Sequence, residues 1–323
     1  MSEIRKVQLT QSGTYFICIP KSWAKQQGLK KGKIVSLSET VDGKLLIDPK
    51  YDLEPSPRTI TLKPTSYLNR EIVGKYLLGF DIIRIETKEQ INFDLRESIK
   101  KTVSKLIGLE IVEEDYSSVV LQCLLKPSGF PPEKILRRSY ALTAGMHRDV
   151  VNALLNLDIN LAKNVIARDE EVNRLYFLLV RILRTVIQNP SLSEKLVIYP
   201  IECLDYRLTA SLVEAIGDEC VNVAQKILEL KSKQLTKELK KAIIELNTLC
   251  SDSYKNALTS FLSGDISLAE EVRNIRDKIE LAFIDIEEHA RAHTLDIVPH
   301  IVAIAANLKQ IYENSVDIAD LRA

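Results

Sequence analysis

The chain has 323 residues, of which 46% are hydrophobic and 27% charged, with 44 basic and 44 acidic side chains in exact balance. That length exceeds what a single core usually serves, so two or three domains are expected. No apolar run approaches the roughly 20 residues of a helical membrane span, so no membrane insertion is expected. The balance of charge hides an asymmetry. Residues 1–50 hold nine basic side chains (Arg5, Lys6, Lys21, Lys25, Lys30, Lys31, Lys33, Lys44, Lys50) against four acids, and the remainder holds 35 basic against 40 acidic. One end of such a chain is suited to a polyanion, nucleic acid first of all. Residues 1–6 do not read as a secretory leader, and the five scattered cysteines form no CxxC pair, so free thiols in a reducing cytoplasm are expected.

Residues 4–19 read as two strands around a turn at Gln11-Ser12-Gly13, with Tyr15-Phe16-Ile17-Cys18-Ile19 apolar on both faces and expected to be fully buried. Pro20 opens a short helix over 21–27 that Gly28 stops. A second hairpin is expected over 33–39 and 44–48, turning at Val41-Asp42-Gly43. Four short strands cannot bury an adequate core alone, so this module packs on the rest of the chain or interlocks with a second copy. The prolines between Pro49 and Pro64 mark a linker. An α/β segment follows, with strands at 59–62, 81–86, 109–113 and 118–125 and helices at 66–78 and 93–107. Pro127-Ser128-Gly129-Phe130-Pro131-Pro132 then breaks the chain.

From Glu133 onward, long amphipathic helices are expected over 134–156, 158–188, 203–231, 235–262, 265–294 and 297–321, with Asp158 and Asp265 as caps. Asp158-Ile159-Asn160-Leu161-Ala162 recurs as Asp265-Ile266-Ser267-Leu268-Ala269, and Val165 recurs as Val272, which suggests two copies of a three-helix unit. The fold class is thus multi-domain and mainly α: a β-hairpin module over 1–52, an α/β segment over 58–127 and a six-helix segment over 133–323.

Glu214, Asp218 and Asn222 follow one another at single-turn spacing, opposite an apolar stripe of Leu212, Ile216, Cys220, Val223 and Ile227. The last helix repeats the design with Glu313, Asp317 and Asp320, and Asp317-Ile318-Ala319 echoes Asn222-Val223-Ala224. Carboxylates one turn apart suit hard divalent or ferric ions; the same spacing suits a solvated acidic face, and both readings stand. His289, His293 and His300 lack an HExxH pattern or a cysteine partner and read as ordinary surface or capping residues. No phosphate-binding glycine loop, nucleophile elbow or general-base constellation is present in the sequence, so neither an enzyme nor an organic cofactor is expected. At the basic end, Arg5, Lys6, Lys21, Lys25, Lys30, Lys31 and Lys33 are candidates to neutralise phosphates, and Gln8, Gln11 and Ser12 to reach base edges.

Two resemblances extend this reading. The basic strand, Ser12-Gly13, Ile19-Pro20-Lys21, the short helix ending at Gly28-Leu29 and Gly32-Lys33-Ile34-Val35 resemble the SpoVT-AbrB (MazE-like) family. That resemblance implies a swapped-hairpin homodimer that binds double-stranded DNA. Glu214-Ala215-Ile216-Gly217-Asp218 resembles the acidic signature of the PhoU family of phosphate-uptake regulators, with Glu313-Asn314-Ser315-Val316-Asp317 a looser match. Asp169 and Asn173 sit where a further acidic pair is expected, and their repeat counterparts are Arg276 and Glu280. The PhoU resemblance implies two three-helix bundles, metal ions on residues such as Asp169, Glu214, Asp218, Asn222, Glu313 and Asp317, and a phosphate-transporter ATPase or phosphate-signalling protein as partner. The combination resembles archaeal phosphate regulators. It implies a cytoplasmic transcriptional regulator of phosphate uptake, with two alternatives: a transporter-bound adaptor that does not bind DNA, and a carboxylate-bridged metalloenzyme.

Overall fold

A computed structural model describes residues 3–39, 43–49, 57–230 and 234–321. The chain divides into two compact units, residues 1–57 and 58–323.

In the first unit, β1 (Gln8–Leu9) pairs antiparallel with β2 (Tyr15–Phe16). Gly13 provides the positive φ of +85° that their turn requires, and its N–H donates to Thr10 O. Helix α1 (Lys21–Gln26) ends as the sequence dictates: Gly28 takes φ +63°, its N–H donates to Lys25 O and that of Leu29 to Ala24 O. This pair of bonds is a Schellman stop. Strands β3 (Ser36–Glu39) and β4 (Leu45–Asp48) form the second hairpin; Val41 and Asp42 of its expected turn lie outside the described residues, as do residues 50–56 of the linker.

The expectation that Tyr15–Ile19 is fully buried is overturned. Tyr15 is 73% exposed, Phe16 43%, Ile17 51% and Ile19 38%. None of the described residues in this unit reaches full burial. The physical reason is size: a fifty-residue pair of two-stranded hairpins has too little chain to wrap its own apolar side chains.

The second unit begins with β5 (Thr59–Leu62), α2 (Leu68–Leu77), β6 (Ile82–Glu86), α3 (Phe93–Ser104), β7 (Leu109–Glu114) and β8 (Ser118–Cys123). The sheet order is β5-β6-β8-β7, with β5 and β6 parallel and both β8 pairings antiparallel. Alternation places Ile83, Ile85, Val119 and Leu121 in a core with Leu68, Ile72, Tyr76 and Ile99 of the two helices. Edge strand β7 carries exposed Glu110, Glu113 and Glu114, and its register slips between Ile111 and Glu113.

The helices follow as α4 (Pro132–Asn156), α5 (Ile159–Gln188), α6 (Pro190–Leu196), α7 (Glu202–Glu229), α8 (Lys237–Ser263), α9 (Ile266–Asn274), α10 (Arg276–Ala290) and α11 (Val298–Asp320). Helices α4, α5 and α7 pack as one three-helix set, and α8, α9–α10 and α11 as a second; α11 also packs on α7, so one apolar core runs through both. Both expected caps form: Asp158 accepts from Leu161 N at 3.0 Å and Asp265 from Ser267 N at 2.9 Å. Two details differ from the sequence reading. The 189–202 connection contains α6, started by Asn189 as cap and Pro190 in the first turn. The helix expected over 265–294 breaks at Ile275, where the Tyr312 hydroxyl of α11 donates to Val272 O at 3.0 Å and takes up a carbonyl near the break.

Arg181 of α5 joins the sheet to the helices. It is 2% exposed, and its Nη1 donates to Tyr76 O at 2.7 Å and Phe80 O at 2.8 Å. Its Nη2 reaches Asp81 Oδ1 at 3.0 Å, with the guanidinium 5.0 Å from the centre of the Tyr76 ring. The expected boundary at Pro127–Pro132 therefore lies inside this second unit.

Candidate functional site

The ten candidate nucleic-acid contacts share one property. Arg5, Lys6, Gln8, Gln11, Ser12, Lys21, Lys25, Lys30, Lys31 and Lys33 are all exposed. Local chemistry spaces them: Arg5 pairs with Glu3 before β1, Gln11 and Ser12 occupy the β1–β2 turn, and Lys21 and Lys25 are one turn apart on α1. Lys30, Lys31 and Lys33 sit around a turn in which Lys33 N donates to Lys30 O at 3.1 Å and Gly32 takes φ +84°. Nothing in this unit but Glu3, Glu39 and Asp48 offers them a described counter-charge.

The acidic faces of the helices fall into two different states. In the first repeat, α5 and α7 approach closely at Gly217; a methyl group there would lie 3.4 Å from Thr143 Cγ2, 3.5 Å from Val172 Cγ1 and 3.8 Å from Asp169 Oδ1. This approach brings Asp169 of α5 beside Glu214 and Asp218 of α7. Partial burial, then the Asp218 charge, raise the Asp169 pKa, while a hydrogen bond donated by Asn173 Nδ2 to Asp169 Oδ2 at 2.8 Å opposes the rise. Partial burial and the charges of Asp218 and Asp169 raise Glu214, with Arg207 opposing, and loss of hydration raises Asp218. Asp169 Oδ1 is buried with no hydrogen-bond partner among the described residues. No ion pair is formed by Asp169, Glu214 or Asp218 among those residues, nor do three His, Cys, Asp or Glu side chains anywhere among them converge as a ready ligand set. Asn222 is exposed, and its amide reaches Glu219 Oε2 at 3.4 Å rather than the cluster.

In the second repeat the carboxylates are already engaged. Arg276 forks onto Glu313, Nη1 to Oε1 at 3.2 Å and Nη2 to Oε2 at 3.0 Å. Lys309 Nζ donates to Glu280 Oε2 at 2.7 Å, and Arg273 Nε to Asp320 Oδ1 at 2.7 Å. Asp317 is exposed on the outer face of α11. The carboxylates of the first repeat are therefore left without counter-charge, one oxygen orphaned, whereas Glu313, whose oxygens are held by a guanidinium, does not suit a hard cation. The sequence reading grouped both faces alike because the pairs of Arg276 and Lys309 cross between helices.

His289, His293 and His300 each face a different polar neighbour and do not converge. His289 Nε2 lies 3.6 Å from Asp285 Oδ1, His293 Nε2 accepts from Thr236 N at 3.2 Å, and His300 Nδ1 lies 3.0 Å from Glu229 Oε2. Among the described residues no helix is long and apolar enough to cross a membrane. Cys18 is exposed and the other four cysteines are buried free thiols.

Comparison with known proteins agrees with this division. Residues 8–53 match the family model described as antidote-toxin recognition MazE, bacterial antitoxin. Residues 136–227 match the model described as PhoU domain, a span that coincides with the first three-helix set. The crystal structure of PhoU from Pseudomonas aeruginosa is similar, with a TM-score of 0.53 at 19% identity over 59% of this chain and 92% of that one. That of the phosphate transport system regulatory protein PhoU from Streptococcus pneumoniae has a TM-score of 0.50 at 16% identity over 59% of this chain and 90% of the other. No curated protein sequence matches the chain. The helical segment thus has the PhoU fold, preceded in the chain by a segment that matches the MazE model.

Proposed function

We propose that this chain is a cytoplasmic transcriptional regulator of phosphate uptake. Its N-terminal module binds double-stranded DNA as a homodimer, and its helical segment reads the state of phosphate transport through a transporter ATPase or a phosphate-signalling protein. The observation that carries the DNA reading is the module's own incompleteness. All ten polar and basic candidates are exposed, and so are Tyr15, Phe16, Ile17 and Ile19, which have no described core to enter. Interleaving with a second copy buries the apolar set and leaves two basic faces related by a two-fold axis, which favours a roughly palindromic operator. The MazE match over 8–53 supports this role for the module, and the PhoU fold supports phosphate transport as the regulated process.

A divalent or ferric ion at Asp169, Glu214 and Asp218 is part of the same reading. Such an ion would supply positive charge to offset the repulsion among the three carboxylates. The chain's own contribution would be to present them from α5 and α7 with Asp169 Oδ1 left unpaired.

The test is duplex binding by the full-length protein as a function of salt. Affinity is expected to fall steeply between low and physiological ionic strength, and Arg5→Ala or Lys21→Ala to reduce the log–log slope by about one unit each. Absence of duplex affinity even at low salt, with co-purification of a transporter ATPase, would replace this reading with the adaptor.

A further inference from the structure

The two repeats fill the same four helix positions in opposite ways. The offset that carries Asp158 to Asp265 and Val165 to Val272 also carries Asp169 to Arg276 and Asn173 to Glu280. The offset that carries Asn222-Val223-Ala224 to Asp317-Ile318-Ala319 carries Glu214 to Lys309 and Asp218 to Glu313. The first quartet, Asp169, Asn173, Glu214 and Asp218, holds three carboxylates and no base, and within it Asn173 donates to Asp169 at 2.8 Å. The second quartet, Arg276, Glu280, Lys309 and Glu313, holds two bases and two acids, and they pair crosswise between α10 and α11 at 3.0 Å (Arg276–Glu313) and 2.7 Å (Lys309–Glu280).

Each base is also braced by an aromatic ring. The Arg276 guanidinium lies 5.8 Å from the centre of Tyr312, and Lys309 Nζ lies 5.2 Å from that of Phe283. Tyr312 is itself fixed by its bond to Val272 O, beside the break that starts α10 at Arg276. The side chains of Arg276 and Glu313 remain 51% and 30% exposed, and those of Lys309 and Glu280 26% and 43%, so the pairs contribute little to folding stability. Their effect is on charge: a quartet whose titratable side chains are all acids in one repeat is neutral overall in the other.

We infer that Arg276 and Lys309 are built-in counter-ions of the second repeat, so that the bundle offers an external multivalent cation one carboxylate set, not two. A guanidinium stays charged at every physiological pH, so this half is held permanently in its neutralised arrangement, whatever the cation supply. The part concerning the first repeat rests on the cation reading given above; the part concerning the second does not.

The experiment is Mn²⁺ titration of chelator-stripped full-length protein, read by calorimetric stoichiometry and by melting temperature. E280Q/E313Q is expected to leave the wild-type stoichiometry unchanged. R276D/K309E is expected to gain Mn²⁺ binding, with melting raised by roughly 5 °C more than in wild type at about a hundredfold excess over Kd. The reciprocal graft, D169R/E214K, is expected to keep the native far-ultraviolet dichroism and to lose whatever Mn²⁺ response the wild type has. A drop in stoichiometry for E280Q/E313Q, or a folded R276D/K309E that gains no Mn²⁺, overturns the inference. Should R276D/K309E fail to fold, the E280Q/E313Q stoichiometry decides. A wild type that binds no Mn²⁺ beside an R276D/K309E that does would sink the first-repeat cation reading and leave the inference standing.

Discussion

His147 illustrates how one side chain sets a pH limit on the fold. It lies on α4, 2% exposed, with Nε2 lacking a hydrogen-bond partner among the described residues, and burial holds its pKa down to about 4. The unfolded chain takes up that proton near pH ~6.5, while the folded chain resists until about 4. Stability is therefore intact above the unfolded value and is lost progressively as pH falls toward the folded one, by about 3 kcal/mol in all. Asp169, Glu214 and Asp218 act with the opposite sign, because their raised pKa values let the folded state bind protons more readily and relieve their repulsion. His147→Leu is expected to flatten the fall in urea midpoint between about pH 7 and pH 5. An unchanged slope in that variant would show that His147 is not the group responsible.

At the scale of elements, the junction of α2 with α5 depends on Arg181. Its guanidinium supplies bonds to the Tyr76 carbonyl in the last turn of α2 and to the Phe80 carbonyl just beyond it, and these carry more weight than the bond to half-exposed Asp81. Arg181→Ala removes a donor from both carbonyls, of which Tyr76 O keeps the Gly79 N–H, and opens a gap at a buried position; it is expected to cost about 3 kcal/mol by chemical denaturation. Arg181→Lys is expected to recover less than half, because one ammonium cannot replace the planar fork. Most of these elements were legible in the residues. Short apolar runs gave β6 and β8, single-turn apolar spacing gave α4, α5, α7, α8 and α11, and Asp158 and Asp265 announced their helices. Other features depended on distant partners. The break at Ile275 follows a hydroxyl from Tyr312, and the neutralisation of Glu313 and Glu280 follows bases on a neighbouring helix; neither leaves a local pattern. Helix α6 did leave one, since Asn189-Pro190 is a start signal as well as a stop. Exposure of Tyr15–Ile19 was not readable from apolar content, which reports what a side chain prefers and not whether a single chain can cover it.

For the whole molecule, the proposed pairing makes the DNA-binding and dimerisation properties inseparable. Phe16→Asp places a charge in the apolar set of β2 without touching any of the ten candidate contacts. It is expected to convert the protein to monomers in sedimentation equilibrium and to abolish duplex affinity in the same preparation, with helical dichroism retained. A variant that remains dimeric, or a monomer that still binds duplex DNA as wild type does, would argue that the module does not work as an interleaved pair.

The glutamates and slipped register of β7 bear on where such association takes place. A stray strand approaching that side of the sheet meets like-signed carboxylates and a ladder whose donors and acceptors fall out of step. Growth of the sheet into fibres or irregular aggregates is discouraged there, and the proposed self-recognition falls to the uncovered apolar residues of the first unit.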